Sequence, residues 1–313
     1  AILNRAFLKN IFSILFLGCS ISLSGSTTSD SLSIFSNAPY FTPWRFWTAT
    51  SVHAAAIPIS LKGLNTIKYA NSNVSDFYWR NDNADWMQVD KVGQFWATYR
   101  LSQISSTFYN WTGLSKDKSA KLGTLIGFAT ISSFELFDGR RTNWGASVGD
   151  IAVNSLGASL VFFQWTWDDP YALNIKYSSS SSIYAKYNPG LLGSNRIERL
   201  FNDYNSQTFW ASVRLNKLIP VKKIPNWLNV AFGYGADGMI AERLNPSINA
   251  AGDYIPQFDR YRQYYLSLDI DIRRFQSKIP MVSAIFKNFG FIKIPAPTLE
   301  FSKYGVKFYP IFL

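Results

Sequence analysis

The sequence predicts an α+β protein, with an N-terminal bundle of about four helices followed by a C-terminal antiparallel β-sheet. Three observations predict it. First, polar residues recur at helical spacing inside apolar surroundings: Asp90-Lys91-x-x-Gln94, then Glu135-x-x-Asp138-Gly139-Arg140-Arg141, then Gly149-Asp150-x-x-x-Asn154-x-x-Gly157. Second, beyond Asp168-Asp169-Pro170 the apolar period shortens to two. Third, pieces rich in Pro or Gly separate the alternating runs, as they do in antiparallel sheets.

The chain opens with the order of an export signal. Arg5 and Lys9 form a basic region, Ile11 to Leu17 an apolar one, and Gly18 to Ser26 a small-residue tail. The apolar run is shorter than the roughly 20 residues of a membrane helix, so a signal peptide is expected over residues 1–19. Phe16-Leu17-Gly18-Cys19 has the Gly-Cys pair of a lipoprotein box, with Leu17 bulkier than the small residue usual before the Gly. Cys19 is thus the candidate lipidation residue. If it is acylated the mature chain carries a lipid anchor; if cleavage falls later, that chain has no cysteine. Residues 20–43, rich in Ser and Thr, read as a tether.

The helical part is expected over 44–168. Trp44 to Leu64 reads as a helix bent at Pro58, with the lone His53 packed within it, since one His without a second His or Cys builds no zinc site. Residues 71–85 are polar and loop-like. A long amphipathic helix follows from about Trp86 to Trp111, with Gly113 as its stop. The next begins at Ser115, carries Asp117 near its positive end, and holds Gly123-x-x-x-Gly127 for close helix contact before Gly139 ends it. A fourth runs from about Ser147 to Trp167. Short loops make the neighbours antiparallel.

The β region is expected over 169–313. Residues 208–215 and 264–273 alternate most cleanly, the latter with one apolar face and Asp269, Asp271 and Arg273 on the other. Shorter runs occur at 171–177, 182–187, 228–234, 297–302 and 305–312, and Pro280 to Phe289 reads as a short amphipathic helix. Two arrangements fit. One is a small or partial outer-membrane barrel, which needs at least eight strands of about ten residues. The other is a sheet with one face covered by the helices, favoured because the strands number about seven and several are short.

Glu135 and Asp138 share a helix face, as do Asp150 with Asn154 and Asp90 with Gln94. Facing stripes would gather Asp90, Lys91, Gln94, Glu135, Asp138, Asp150 and Asn154 with Arg140 or Arg141. In a catalytic reading, Glu135, Asp138 or Asp150 is the candidate acid or base. In a structural reading the same groups form a buried network that fixes helix register, and this is favoured. Such oxygens could also hold a hard cation, but no metal is assigned. No Ser–His or Cys–His pair, phosphate loop or zinc spacing occurs, so no cofactor is expected.

Aromatics make up 17% of the 313 residues and charged residues 16%, below the usual quarter or so, which suits a surface facing lipid or a partner. The net charge is +11, yet no run of five Lys/Arg occurs, which argues against nucleic acid. Membrane lipid and other envelope or outer-membrane proteins are the expected partners.

The motifs also carry a resemblance. Trp86-Met87-Gln88-Val89-Asp90-Lys91-Val92-Gly93, Glu135-Leu136-Phe137-Asp138-Gly139 and Gly149-Asp150-Ile151-Ala152-Val153-Asn154-Ser155-Leu156-Gly157 resemble the YfiM-like predicted periplasmic lipoproteins, a family without an established activity. The long form in Bacteroidetes has a similar C-terminal half, which Arg262–Asp269 and Ile294–Phe301 resemble, so the likeness covers about residues 44–312. A fainter similarity reaches VanZ-like membrane proteins. The family pattern places a His where Gln94 stands, and glutamine does not titrate near neutrality. The resemblance implies an exported protein of the cell envelope. A non-enzymatic scaffold or accessory subunit at the outer membrane or periplasm is expected, the alternatives being a membrane-associated hydrolase or transferase acting on lipid or cell-wall glycan, with Glu135 and Asp150 as its carboxylates, and a lipid-binding module.

Overall fold

A computed structural model describes residues 36–68, 72–167, 172–219, 223–249, 252–275 and 277–312. The signal region, Cys19, most of the Ser/Thr-rich tether and the Asp168-Asp169-Pro170 junction lie outside the described residues. Two compact units are present: residues up to Arg80 with Leu101–Ala146, and Asn81–Arg100 with Ser147 onward.

The first unit holds helix α1 (Pro43–Lys68), the second half of α2 (Val89–Trp111) and α3 (Lys116–Asp138). The Ser115 hydroxyl accepts from the Lys118 N–H to cap α3, and Asp117 forms an exposed i,i+4 pair with Lys121 in its first turns. Small residues bring α3 onto α2: a Cβ added at Gly127 would lie 2.1 Å from Ser102 Oγ, and one at Gly123 2.2 Å from the Ser106 nitrogen. Gly113 ends α2 at φ +85°, where a side chain would also strike the Tyr40 carbonyl. α1 continues through Pro58. His53 is packed: its Nδ1 meets the Ala49 carbonyl at 2.8 Å, its Nε2 meets Ser105 Oγ at 2.9 Å, and the ring stacks on Tyr109. Burial lowers its pKa, which favours the neutral ring.

The second unit holds the first half of α2, α4 (Val148–Thr166), and six antiparallel strands: β1 (Leu173–Ser179), β2 (Gln207–Arg214), β3 (Leu228–Asp237), β4 (Tyr261–Ile270), β5 (Ala296–Ser302) and β6 (Gly305–Phe312). They pair in chain order as an open meander; β1 and β6 do not meet, so the barrel is not closed. Helix α5 (Pro280–Phe289) precedes β5. The alternating run expected at 182–187 is instead a 3-10 turn, Tyr184–Lys186. The Ser182 hydroxyl accepts from the Tyr184 N–H there, and Pro189 follows closely, so local bonds replace a ladder. The helix expected from Trp86 starts only at Val89, because residues 86–88 form a left-handed turn.

The outward face of β1 and β2 packs on the helices. Ile175 joins Tyr99 of α2 and Val161 of α4, while Phe209 and Tyr177 take Trp96 between them at 6.0 and 5.1 Å. Gly157 lets α4 reach α2, since a Cβ there would lie 2.5 Å from the Phe95 carbonyl oxygen. Gly157→Ala should therefore destabilise by about 1–2 kcal/mol, the clash exceeding alanine's better helix propensity. Thermal unfolding of the variant reads this directly.

The other face of the sheet is buried and largely polar, set around the Trp210, Tyr265 and Phe312 rings, the reverse of the usual water-facing arrangement. Asn174, Lys176, Ser212, Asn229, Ser267, Asp269, Thr298 and Glu300 all lie there, buried. The sheet curls over this face. In a flat sheet β2 and β6 would be roughly 19 Å apart, yet the Trp210 and Phe312 rings are 5.7 Å apart. The free edge of β1 is covered by residues 291–293, with the Tyr177 N–H donating to Phe291 O and the Lys293 N–H to Tyr177 O.

Candidate functional site

Within the second unit, the turn Asp85–Gln88 aims α2 at the start of α4. Trp86 (φ 45°), Met87 (φ 52°) and Gln88 (φ 66°) are all left-handed, a conformation costing roughly 1–2 kcal/mol per non-glycine residue. Several bonds hold it. The Trp86 N–H donates to Glu242 O at 2.8 Å, the Tyr234 hydroxyl to Met87 O, Arg262 to Gln88 Oε1 at 2.6 Å, and Gln88 Nε2 to Asn83 O at 2.7 Å. The Trp86 ring packs on Tyr204.

The turn delivers Lys91 into three carboxylates. Its Nζ lies 2.6 Å from Asp82 Oδ1, 2.7 Å from Asp150 Oδ1 and 3.5 Å from Asp90 Oδ2. The Ser147 hydroxyl donates to Asp82 at 2.5 Å and accepts from the Asp150 N–H at 3.1 Å, so the residue capping α4 also ties in the loop. Gly149 is required beside them: a Cβ there would sit 2.2 Å from Asn83 Oδ1 and 3.3 Å from Lys91 Cε. One turn or more further along, Thr98 donates to Asn154 at 2.9 Å in the same helix pair.

The electrostatics follow from burial and from Lys91. Burial pushes Asp82 up, but the bonds from Lys91 and Ser147 outweigh it and hold this carboxyl below its ordinary range. Burial opposes the Lys91 charge too, and the carboxylates more than restore it, so its pKa is raised. Asp90 behaves differently. Burial, reinforced by the charge of Asp150, outweighs the pull of Lys91, and its carboxyl is pushed up to about 7. Its Oδ1 is buried without a hydrogen-bond partner among the described residues. Carboxylate oxygens of Asp82, Asp90 and Asp150 lie within 4.8 Å of one another, a spacing that suits a divalent cation. Lys91 already stands among them as the cation.

Asp90→Asn tests this arrangement. A carboxyl raised to about 7 is neutral in both folded and unfolded chains below pH 4, and its ionisation weakens the fold progressively as pH rises from about 4 to 7. The amide escapes that loss. The variant should match the parent near pH 4 and be more stable by about 2 kcal/mol at pH 8, half the ceiling set by a three-unit shift. Urea midpoints at pH 4, 6 and 8 check the sign.

Of the polar residues singled out by spacing, Asp90, Lys91 and Asp150 come together, with Asn154 further along the same helix pair. Gln94 is partly exposed and joins none of these bonds among the described residues. Glu135 and Asp138 are buried, but at the end of α3 in the first unit. There Arg140 is exposed and Arg141 donates to Ser72 O at 3.2 Å. Spacing missed Asp82 and Ser147. Asp82 sits in a loop without periodicity. Ser147 had a usable signal, because Ser147-x-x-Asp150 is the pattern of a helix start.

A second buried charge cluster lies under the curled sheet. Lys176 Nζ is 2.7 Å from Asp269 Oδ2, both side chains having no solvent exposure, and Lys293 Nζ is 3.8 Å from Asp269 Oδ1. Ser212 donates to Asp269 at 2.6 Å and accepts from Asn229 at 2.8 Å. Burial lowers the pKa of Lys176 despite Asp269.

Neither a curated protein nor a solved structure matches the chain. Residues 76–166 match the family described as "Predicted periplasmic lipoprotein (DUF2279)", a description that agrees with an exported protein of the cell envelope and goes no further toward the narrower YfiM-like or VanZ-like likenesses.

Proposed function

We propose that this exported envelope protein works as an accessory or scaffold component at the periplasmic side of the outer membrane, and not as an enzyme. The placement of Lys91 carries this reading. Its ammonium is within 3.5 Å of all three carboxylates, so the charge that would polarise a substrate or hold a metal is spent inside the chain. The basic-apolar-small order of the first 26 residues and the periplasmic-lipoprotein description of the matched family support export. One observation favours a second reading. Asp90 titrates near neutrality, as a general acid or base of a lipid or glycan hydrolase would.

Mild detergent extraction followed by native-gradient separation tests the first reading. The protein should migrate with envelope proteins in fixed stoichiometry, and Asp150→Asn should lower thermal stability and complex recovery together. A partner-free monomer, or an Asp150→Asn chain of unchanged melting that loses turnover of lipid or cell-wall glycan, overturns it in favour of the enzyme.

A further inference from the structure

We propose that the bare outer face of β3–β6 is a lipid-contact surface that seats this protein against the acyl chains of a membrane. This rests on a separate observation from the Lys91 cluster and holds whatever that cluster does. Two cross-strand rows run over the face: Phe232, Leu266, Leu299 and Phe308, and beside them Tyr264, Phe301 and Val306, a row that ends at Tyr234 under the Met87 turn. Val230 pairs with Leu268 in a third. None carries a charge. Phe232, Tyr264, Leu268, Val306 and Phe308 are 48–65% exposed, so nothing among the described residues covers them.

The opposite face is where a water-soluble sheet would keep its apolar side, and here it buries Asn229, Ser267, Asp269, Thr298 and Glu300 around the Trp210, Tyr265 and Phe312 rings. A polar interior with an apolar exterior is the pattern of strands bathed in lipid. No helix among the described residues is long and apolar enough to cross a membrane.

Dimensions and end groups favour lipid over a protein partner. The uncovered apolar run from Tyr264 to Ile270 on β4 is about 20 Å long, against roughly 25 Å for the apolar band of membrane strands. Both ends carry rings. At the β5–β6 hairpin Tyr261 packs on Tyr304, with Lys303 Nζ 5.0 Å from the Tyr304 ring. At the far end Trp227 packs on Phe275, and α5 follows, exposing Ile285 and Phe289 beside Lys287. Rings and ammonium groups at two levels suit the two edges of a hydrocarbon layer. A net charge of +11 complements anionic headgroups.

The test uses the full chain with Cys19→Ala, so that no acyl anchor contributes, reconstituted with vesicles of phosphatidylethanolamine and phosphatidylglycerol and separated by flotation. The parent should float, and Phe232→Lys/Phe308→Lys, at unchanged melting temperature, should float at least about tenfold less. A Leu268→Cys chain carrying an environment-sensitive label should be quenched by brominated acyl chains, and this arm decides if the double variant fails to fold. Equal flotation of both chains, no flotation of the parent, an unquenched label, or a parent dimer that the lysines split into monomers overturns the proposal; the last assigns the face to a second copy.

Discussion

Exchanging Lys91 for methionine should destabilise the protein by about 3–5 kcal/mol at pH 7, the usual cost of stranding a buried charge. The methylene stem is kept, so packing changes little. What disappears is the cation 2.6 and 2.7 Å from Asp82 and Asp150. Asp82, held below its ordinary range against its own burial, would lose that support, and Asp90 is already lifted by burial and then by repulsion from Asp150 and Asp82. Two further measurements distinguish this from general damage. The loss should shrink toward pH 4, as protonation removes the uncompensated charges. Adding Asp150→Asn should recover part of it, because the second change removes one of the stranded carboxylates. A loss below about 1 kcal/mol in urea unfolding would mean that water supports these carboxylates as well as Lys91 does.

Asp269→Asn should cost a similar 3–5 kcal/mol. The amide fits the space and can still bond Ser212, so the change isolates charge. It leaves Lys176, with no solvent exposure, and Lys293 under the curled sheet without their carboxylate. Burial already draws the Lys176 pKa down, and without Asp269 its ammonium would give up its proton more readily. Asp269→Asn with Lys176→Met should then be more stable than Asp269→Asn alone, and the difference should narrow as pH rises toward the ordinary lysine range, where the unfolded chain gives up the same proton. Domain stabilities commonly lie near 5–15 kcal/mol, so the parent's urea curve sets the conditions in which both variants remain measurable.

The helices and most strands were legible because period carries them. α3 has a serine cap and an early acid, α4 a serine cap, and β4 alternates cleanly over Tyr261–Ile270. Residues 182–187 alternate as well, but Ser182 and Pro189 bend them into a turn, and local bonding of that kind is invisible to a count of apolar positions. The alternation of β4 established two faces without saying which looks inward. Solvent usually decides that, and here the side with Asp269 is the buried one. Helical spacing could likewise group Asp90 with Gln94 and Glu135 with Asp138, yet it could not divide them between compact units or draw in Asp82 from a loop.

The left-handed turn at Trp86–Gln88 has a consequence for the order of events in folding. Trp, Met and Gln do not choose that backbone unaided, and its outside holds are distant in sequence: Tyr234 of β3 on Met87 is 147 residues away, and Arg262 of β4 on Gln88 is 174 away. A nascent chain that has exposed only its helices lacks both. The turn, and with it the delivery of Lys91 to its carboxylates, should thus mature only after the β3–β4 hairpin has closed, which makes this clasp a late product of the second half of the chain.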